Sequence, residues 1–235
     1  MKGRKALVTG GTRGIGFATA TELKRSGFDV TVTGTGSNGK GPSGCRYLQV
    51  DFSDRAKCEA FARRVGGMGF SVLINNAGIN EVGPIEKVGA EVYDRIQEVN
   101  VRTPFLLSQA VLPGMKRSRF GRIVNIGSIL GVVGKVGRAP YSTSKSALLG
   151  LTRALALEGA RHNVLVNCIS PGFVETDLTR RILGTAGMKR MAAQVPLKRA
   201  ASAVEIARWI RFLVSPENSY LTGQNIVVDG GFTCA

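Results

Sequence analysis

The chain has 235 residues, 43% of them hydrophobic, with 31 glycines and a formal net charge of +16. That length supports one sizeable α/β core, and no stretch of about 18 apolar residues offers a membrane span. Cys45, Cys58, Cys168 and Cys234 lack CxxC spacing and His162 is the only histidine, so no metal site is expected. Met1-Lys2-Gly3-Arg4 leads into a strand at 5–9 without an apolar signal segment, which predicts a cytoplasmic protein. The strand runs into Gly10-Gly11-Thr12-Arg13-Gly14-Ile15-Gly16 and a helix over 15–26. Strand, glycine turn and helix form a dinucleotide-binding context: Gly10 permits the turn, Gly14 lets amides approach a pyrophosphate, and Gly16 lets the helix pack on the strand. The spacing Gly-x-x-x-Gly-x-Gly departs from the common Gly-x-Gly-x-x-Gly.

Further strands are predicted at 29–33, 47–50, 71–74, 122–126, 164–169 and 225–228, alternating with helices at 54–65, 90–112, 141–161 and 203–213. A glycine-rich loop occupies 34–44, and 173–200 has no strong strand pattern. The alternation predicts a single-domain Rossmann-type α/β fold over 1–235, a doubly wound parallel sheet of about seven strands with helices on both faces. In such sheets ligands bind beyond the carboxyl ends of the strands. Gly10 to Gly16, Asp51, Asn75 to Gly78, Ser128 and Pro171-Gly172 all follow predicted strands. Their convergence on one edge is hard to attribute to ordinary turns.

Tyr141 and Lys145 are four apart on a predicted helix and so share a face. A cation one turn from a phenol favours the phenolate and makes the pair a candidate general acid or base. Pro104 has no N–H for the carbonyl of Asn100, four residues earlier. The expectation is a kinked helix and an Asn100 carbonyl released to hold a water.

Taken together, Thr9-Gly10-x-x-x-Gly14-x-Gly16, Asn75-Asn76-Ala77-Gly78, Asn100, Ser128, Tyr141-x-x-x-Lys145 and Pro171-Gly172 resemble the classical short-chain dehydrogenases/reductases along essentially the whole chain. Gly121 to Ser128, Pro171 to Asp177 and Asp229-Gly230-Gly231 look most like the 3-oxoacyl-(acyl-carrier-protein) reductases. The resemblance implies that Tyr141 protonates a substrate carbonyl and Ser128 hydrogen-bonds it. Lys145 would bind the nicotinamide ribose and depress the tyrosine pKa, while Asn100 holds a relay water. It implies cofactor contacts from Thr12, Arg13 and Ile15 beside the glycines, from Asp51 and Phe52, from Asn76, Ala77, Gly78 and Val99, and from Pro171, Gly172, Val174 and Thr176. It also implies a homotetramer and a substrate lid over 173–200.

NAD-preferring folds place an acid on the ribose 2′-OH about 20 residues beyond the glycine turn. Here the place reads Gly34-Thr35-Gly36-Ser37, so with Arg13, Thr35 and Ser37 the site suits NADP(H). Residues 178–199 contain Arg180, Arg181, Lys189, Arg190, Lys198 and Arg199 and no acid, a basic rim for a phosphopantetheine arm, a coenzyme A thioester or an acidic acyl carrier protein. Lys116, Arg117, Arg119 and Arg122 form a second basic group, with Arg119 at the family's carrier-docking position. Nucleic acid is argued against: the charge is scattered, no helix-turn-helix or RNA-recognition signature is present, and aromatics are 6% of residues. A sugar, polyol or other secondary alcohol is the alternative substrate, and a catalytically idle homologue that senses a nucleotide or binds nucleic acid is the remote alternative.

Overall fold

The computed structural model of the protein describes residues 3–234; Met1 and Lys2 lie outside the described residues. Seven parallel strands form the central sheet: β1 (Lys5–Val8), β2 (Asp29–Gly34), β3 (Arg46–Gln49), β4 (Val72–Asn75), β5 (Gly121–Ile126), β6 (Val164–Pro171) and, in the last pairing, Asn225–Val228. Their spatial order is β3-β2-β1-β4-β5-β6 followed by the 225–228 strand. The chain steps outward from β1 to β3 and then returns to the other side of β1, so the reversal falls between β1 and β4. A crevice opens where neighbouring connections leave toward opposite faces, which makes this the expected ligand edge.

Strand alternation divides the core. Leu7, Leu73 and Ile123 face a cluster with Leu107, Met115 and Val111, while Ala6, Val8, Val72 and Ile74 face one with Leu23, Ile206 and Ile210. The first cluster lies under α2 (Arg55–Gly66) and the helices from Ala90 to Gly159; the second lies under α1 (Gly14–Arg25) and the helix at Ala203–Val214. β4, β5 and β6 are buried along their whole lengths, as expected of parallel strands covered on both faces.

Two expectations need correction. The helix predicted over 90–112 is α3 (Ala90–Gln97), a π-helical turn at Glu98–Arg102, and α4 (Thr103–Arg117). Pro104 stands at the start of α4 and cannot donate to Asn100, so the chain widens there instead of continuing a regular helix. After α5 (Ala139–Gly159), the segment at 173–200 also has more order than its pattern suggests. β7 (Val174–Glu175) pairs with β8 (Ala201–Ser202), and between them runs α6 (Asp177–Ala193), broken at Gly184 with φ 59°. Helix α7 (Ala203–Val214) follows on a capping box from Ser202 and Glu205, and β9 (Asn225–Val228) completes the sheet.

Candidate active site

The crevice between β1 and β4 is built by mutual bracing of the two loops. Thr9 Oγ1 accepts the amides of Asn76 and Ala77, both at 2.9 Å, and the Asn76 amide donates to Thr9 O at 2.8 Å and Gly10 O at 3.1 Å. Gly10 has φ 63°. A Cβ at Gly16 would lie 2.4 Å from Gly10 O and 2.5 Å from Asn76 Nδ2. Only glycine lets α1 approach this closely. A Cβ at Gly14 would touch the Thr176 methyl at 3.4 Å, so the turn meets the loop that opens α6.

Arg13 caps α1 without a side-chain hydrogen bond, and the first backbone acceptor engaged from within the helix is Arg13 O, by Phe17. The amides of Gly14, Ile15 and Gly16 therefore have no protein acceptor among the described residues, the arrangement that receives a pyrophosphate. Beyond β2, the Thr35 carbonyl accepts Gln49 Nε2 at 3.0 Å and the Gly36 carbonyl accepts the Tyr47 hydroxyl at 2.5 Å. These bonds fold the loop over β3 and leave the Thr35 and Ser37 side chains exposed with Arg13. No carboxylate belongs to that loop. Asp51 is exposed past β3, where hydrogen bonds from Ser53 hold its carboxyl below the ordinary value. The residues present fit an anionic dinucleotide bearing a 2′-phosphate.

Some residues named as cofactor contacts have side chains engaged with the protein. The Phe52 ring is buried edge-on against Phe61 at 5.7 Å, and Val99 is part of the same core. Val174 is buried in β7. Asn76 spends its amide on the turn. At the end of β6, the Gly172 amide donates to Val228 O at 2.9 Å. A Cβ there would sit 2.7 Å from the Asp229 backbone, so the Pro171-Gly172 turn packs directly on β9.

The reactive end gathers around Lys145, which is only 4% exposed. Its Nζ donates to Ile126 O at 2.7 Å and lies 5.5 Å from the centroid of the Tyr141 ring. A Cβ on Gly78 would be 3.5 Å from Lys145 Nζ and 3.4 Å from Asn100 Oδ1. Asn100 Oδ1 accepts Ile79 N at 2.8 Å, while its Nδ2 donates to Ile79 O at 2.9 Å and Ser144 Oγ at 3.0 Å. Both amide hydrogens are spent and Oδ1 already accepts one bond, which leaves the backbone carbonyl of Asn100 as the freer acceptor. Ser128 ends the β5 connection in extended backbone and its Oγ accepts Leu130 N at 3.1 Å. The turn it caps rests on α5, since a Cβ at Gly131 would lie 2.9 Å from the Lys145 backbone.

The bracing roles of Thr9, which the sequence offered only as part of a motif, and of Ser144 escaped the reading of the sequence. Ser144 Oγ accepts from Asn100 and donates to Tyr141 O at 2.7 Å, linking the π-helical turn to the start of α5. Its place beside Lys145, and that of Thr9 beside Gly10, were the available signals. Cys168 is buried next to Gly127, and burial pushes its thiol up to about 11, so it stays protonated near neutrality.

The two basic groups read from the sequence are partly occupied. Arg180 pairs with Glu175 at 2.8 Å, and Arg199 holds Glu205 through two bonds at 2.9 and 2.7 Å. Lys198 Nζ donates to Ala193 O; Lys189 and Arg190 are exposed, and the Arg181 side chain lies outside the described residues. Arg122 is no surface cation: it is 3% exposed and donates to the carbonyls of Gly121, Asn163 and Asn218. Lys116, Arg117 and Arg119 precede β5, at the edge opposite Ser128.

The enoyl-(acyl carrier protein) reductase family model matches residues 10–233. The 3-oxoacyl-(acyl-carrier-protein) reductase FabG of Vibrio cholerae serotype O1 is 38% identical, over 98% of both chains. FabG of Escherichia coli K12 is also 38% identical, over 98% of this chain and 97% of that one. Among solved structures, a Beutenbergia cavernae protein assigned as an NAD(P)-dependent gluconate 5-dehydrogenase, with NADP bound at low occupancy, superposes with a TM-score of 0.92. It is 32% identical and is covered over 98% of its length by all of this chain. A sheet reversed between β1 and β4, a braced glycine turn and a Tyr-Lys pair beneath it agree with those matches: the chain belongs to the short-chain dehydrogenase/reductase family of oxidoreductases.

Proposed function

We propose that the chain reduces a carbonyl to a secondary alcohol with NADPH, and that its substrate is a 3-oxoacyl thioester carried by acyl carrier protein or coenzyme A. The observation that carries the reading is the meeting of Lys145, Asn100 and Gly78 beneath Tyr141, one strand away from open helix amides. NADPH supplies the hydride when bound. Gly14, Ile15 and Gly16 amides would hold its pyrophosphate, with Arg13, Thr35 and Ser37 around the 2′-phosphate. An ammonium has three donors and Lys145 spends one on Ile126 O, which leaves two for ribose hydroxyls.

On the substrate side, the Ser128 hydroxyl orients the carbonyl oxygen and the Tyr141 phenol gives it a proton. The phenol then recovers a proton past Lys145. Asn100 serves this relay through its carbonyl, because Pro104 gives that oxygen no amide and the side chain is already bonded.

The FabG relatives support the thioester reading. The gluconate dehydrogenase likeness favours a sugar-derived alcohol as second reading. Carrier docking at Arg119 of the same chain sets a condition: the arm must span β5, about 20 Å at 3.3 Å per residue. We further assign the protein to the cytoplasm as a homotetramer. No helix among the described residues could cross a membrane, and β9, with Gly230, Gly231 and Phe232 beyond it, forms a half-buried sheet edge suited to a second copy.

NADPH oxidation with acetoacetyl thioesters, sugar ketones and simple ketones tests the reading. The thioesters should turn over fastest, with NADPH at least about tenfold more efficient than NADH, a difference of about 1.4 kcal/mol. Faster turnover of a sugar ketone, or preference for NADH, would overturn it.

A further inference from the structure

The segment joining Ser128 to Tyr141 carries two cations, Lys135 and Arg138, and no acid. Arg138 accepts the Ser142 amide at 2.8 Å through its carbonyl and so opens the first turn of α5. That bond closes the turn in which Arg138 stands three residues before Tyr141, so its backbone lies one turn from the phenol-bearing residue. Arg138 is half-buried, yet among the described residues no carboxylate or carbonyl accepts from its guanidinium. The contrast within this protein is sharp, because Arg122 donates to three carbonyls and Arg199 grips Glu205. Five donors without a protein acceptor leave a guanidinium complementary to a planar anion.

Lys135 is the companion charge. It has no ion-pair partner among the described residues; its ammonium lies 5.5 Å from the centroid of Phe173, just past Gly172. Phe173 is fixed edge-on against Phe232 at 5.1 Å. The cation thus reaches from the Ser128 loop to the loop after β6, across the mouth of the cleft. On the other flank, Gly83 N donates to Gly137 O at 3.2 Å and ties the segment to the loop after β4. Both cations are therefore held on a braced segment next to the reacting groups.

We infer that Arg138 and Lys135 form an anion-recognition subsite beside Tyr141, so that the preferred substrate carries a phosphate or a carboxylate that docks there while its carbonyl is reduced. Arg138 supplies the planar fork and Lys135 a point charge. The inference rests on the carbonyl-reductase reading and adds a charge requirement to it. The phosphate would come from a coenzyme A arm folded back over the cleft, since a carrier docked at Arg119 keeps its phosphate about 20 Å away; the carboxylate would come from a keto acid.

The test uses the full chain with NADPH and three probes: acetoacetyl-coenzyme A, the neutral acetoacetyl-N-acetylcysteamine thioester, and acetoacetate. In Arg138→Gln, the kcat/KM ratio of one anionic probe over the neutral one should fall at least about tenfold, through KM. Arg138→Lys should recover most of the ratio, and Lys135→Gln should lower it less. A fall confined to the coenzyme A thioester assigns the phosphate; a fall confined to acetoacetate assigns the carboxylate. Ratios within twofold of the parent for both anions overturn the subsite. Turnover of acetoacetate with neither thioester reduced would sink the thioester reading while leaving the subsite standing. If none of the three is reduced, titration of acetoacetyl-coenzyme A and acetoacetate into the NADP-loaded protein decides: equal affinities for parent and Arg138→Gln overturn the subsite.

Discussion

The two edges of the sheet handle the same chemical groups in opposite ways. At the amino edge, where β5 begins, Arg122 is buried, donates to three backbone carbonyls and lies 4.4 Å from the centroid of Phe120, whose ring also receives Arg4 at 3.4 Å. Burial pushes its guanidinium down to about 10, which still leaves it charged at neutral pH. At the carboxyl edge, where the same strand ends, Lys145 is as deeply buried but donates only to Ile126 O. Arg122 turns both terminal guanidinium nitrogens onto backbone carbonyls and keeps only its Nε without a partner, which suits a fastener. An ammonium with two donors in reserve is suited to a ligand. The difference follows from topology, because the carboxyl edge is where loops diverge and leave polar groups without protein partners.

Substitutions at the two cations should separate these roles. Lys145→Met is expected to lower kcat/KM by about 10²–10⁴-fold and to weaken NADPH binding, with little change in urea stability; steady-state kinetics and NADPH titration read both. Arg122→Leu should do the reverse. Three carbonyls lose their donor, at a cost of about 2–3 kcal/mol in urea unfolding, while kcat/KM per folded molecule stays near that of the parent. If Arg122→Leu lost activity beyond its loss of folded protein, the division between the edges would be wrong.

A smaller effect is expected at the exposed Arg199–Glu205 pair, which joins the end of the 173–200 segment to α7. The Arg199 guanidinium, and then the Ser202 amide, hold the Glu205 carboxyl down to about 2 from an ordinary 4.5. A folded value below the unfolded one stabilises the protein above about pH 4.5 and loses that contribution as pH falls toward 2. Glu205→Gln keeps the capping geometry and should lower Tm at pH 7 by only about 1–3 °C. Parent and variant should converge across that acid window; a constant difference would show that the ion pair is not the cause.

How far the sequence could be read depended on the range of the interactions involved. The seven strands, the glycine turn and the Tyr141–Lys145 pair rest on local patterns, and the sheet has the strands where the alternation placed them. Pro104 also marked the break near Asn100, although a missing amide alone could not specify a π-helical turn. What escaped was set by partners distant in sequence. Arg122 looked like a surface cation because its acceptors at Asn163 and Asn218 belong to other segments. Arg180 and Arg199 looked free because Glu175 and Glu205 lie just outside the acid-free window. Strands of two residues, β7 and β8, carry too little periodicity to be seen at all. Asn76 matched the family pattern, but its side chain closes the glycine turn.

The central claim is that Tyr141, set over Lys145, delivers the proton in an NADPH-dependent carbonyl reduction. Tyr141→Phe removes one oxygen and leaves the ring. Single-turnover NADPH oxidation with an acetoacetyl thioester, run beside NADPH titration on the same samples, measures chemistry and binding separately. The account predicts that the variant binds NADPH like the parent and loses at least about 10²-fold in rate. A variant that still turns over within tenfold of the parent would contradict it.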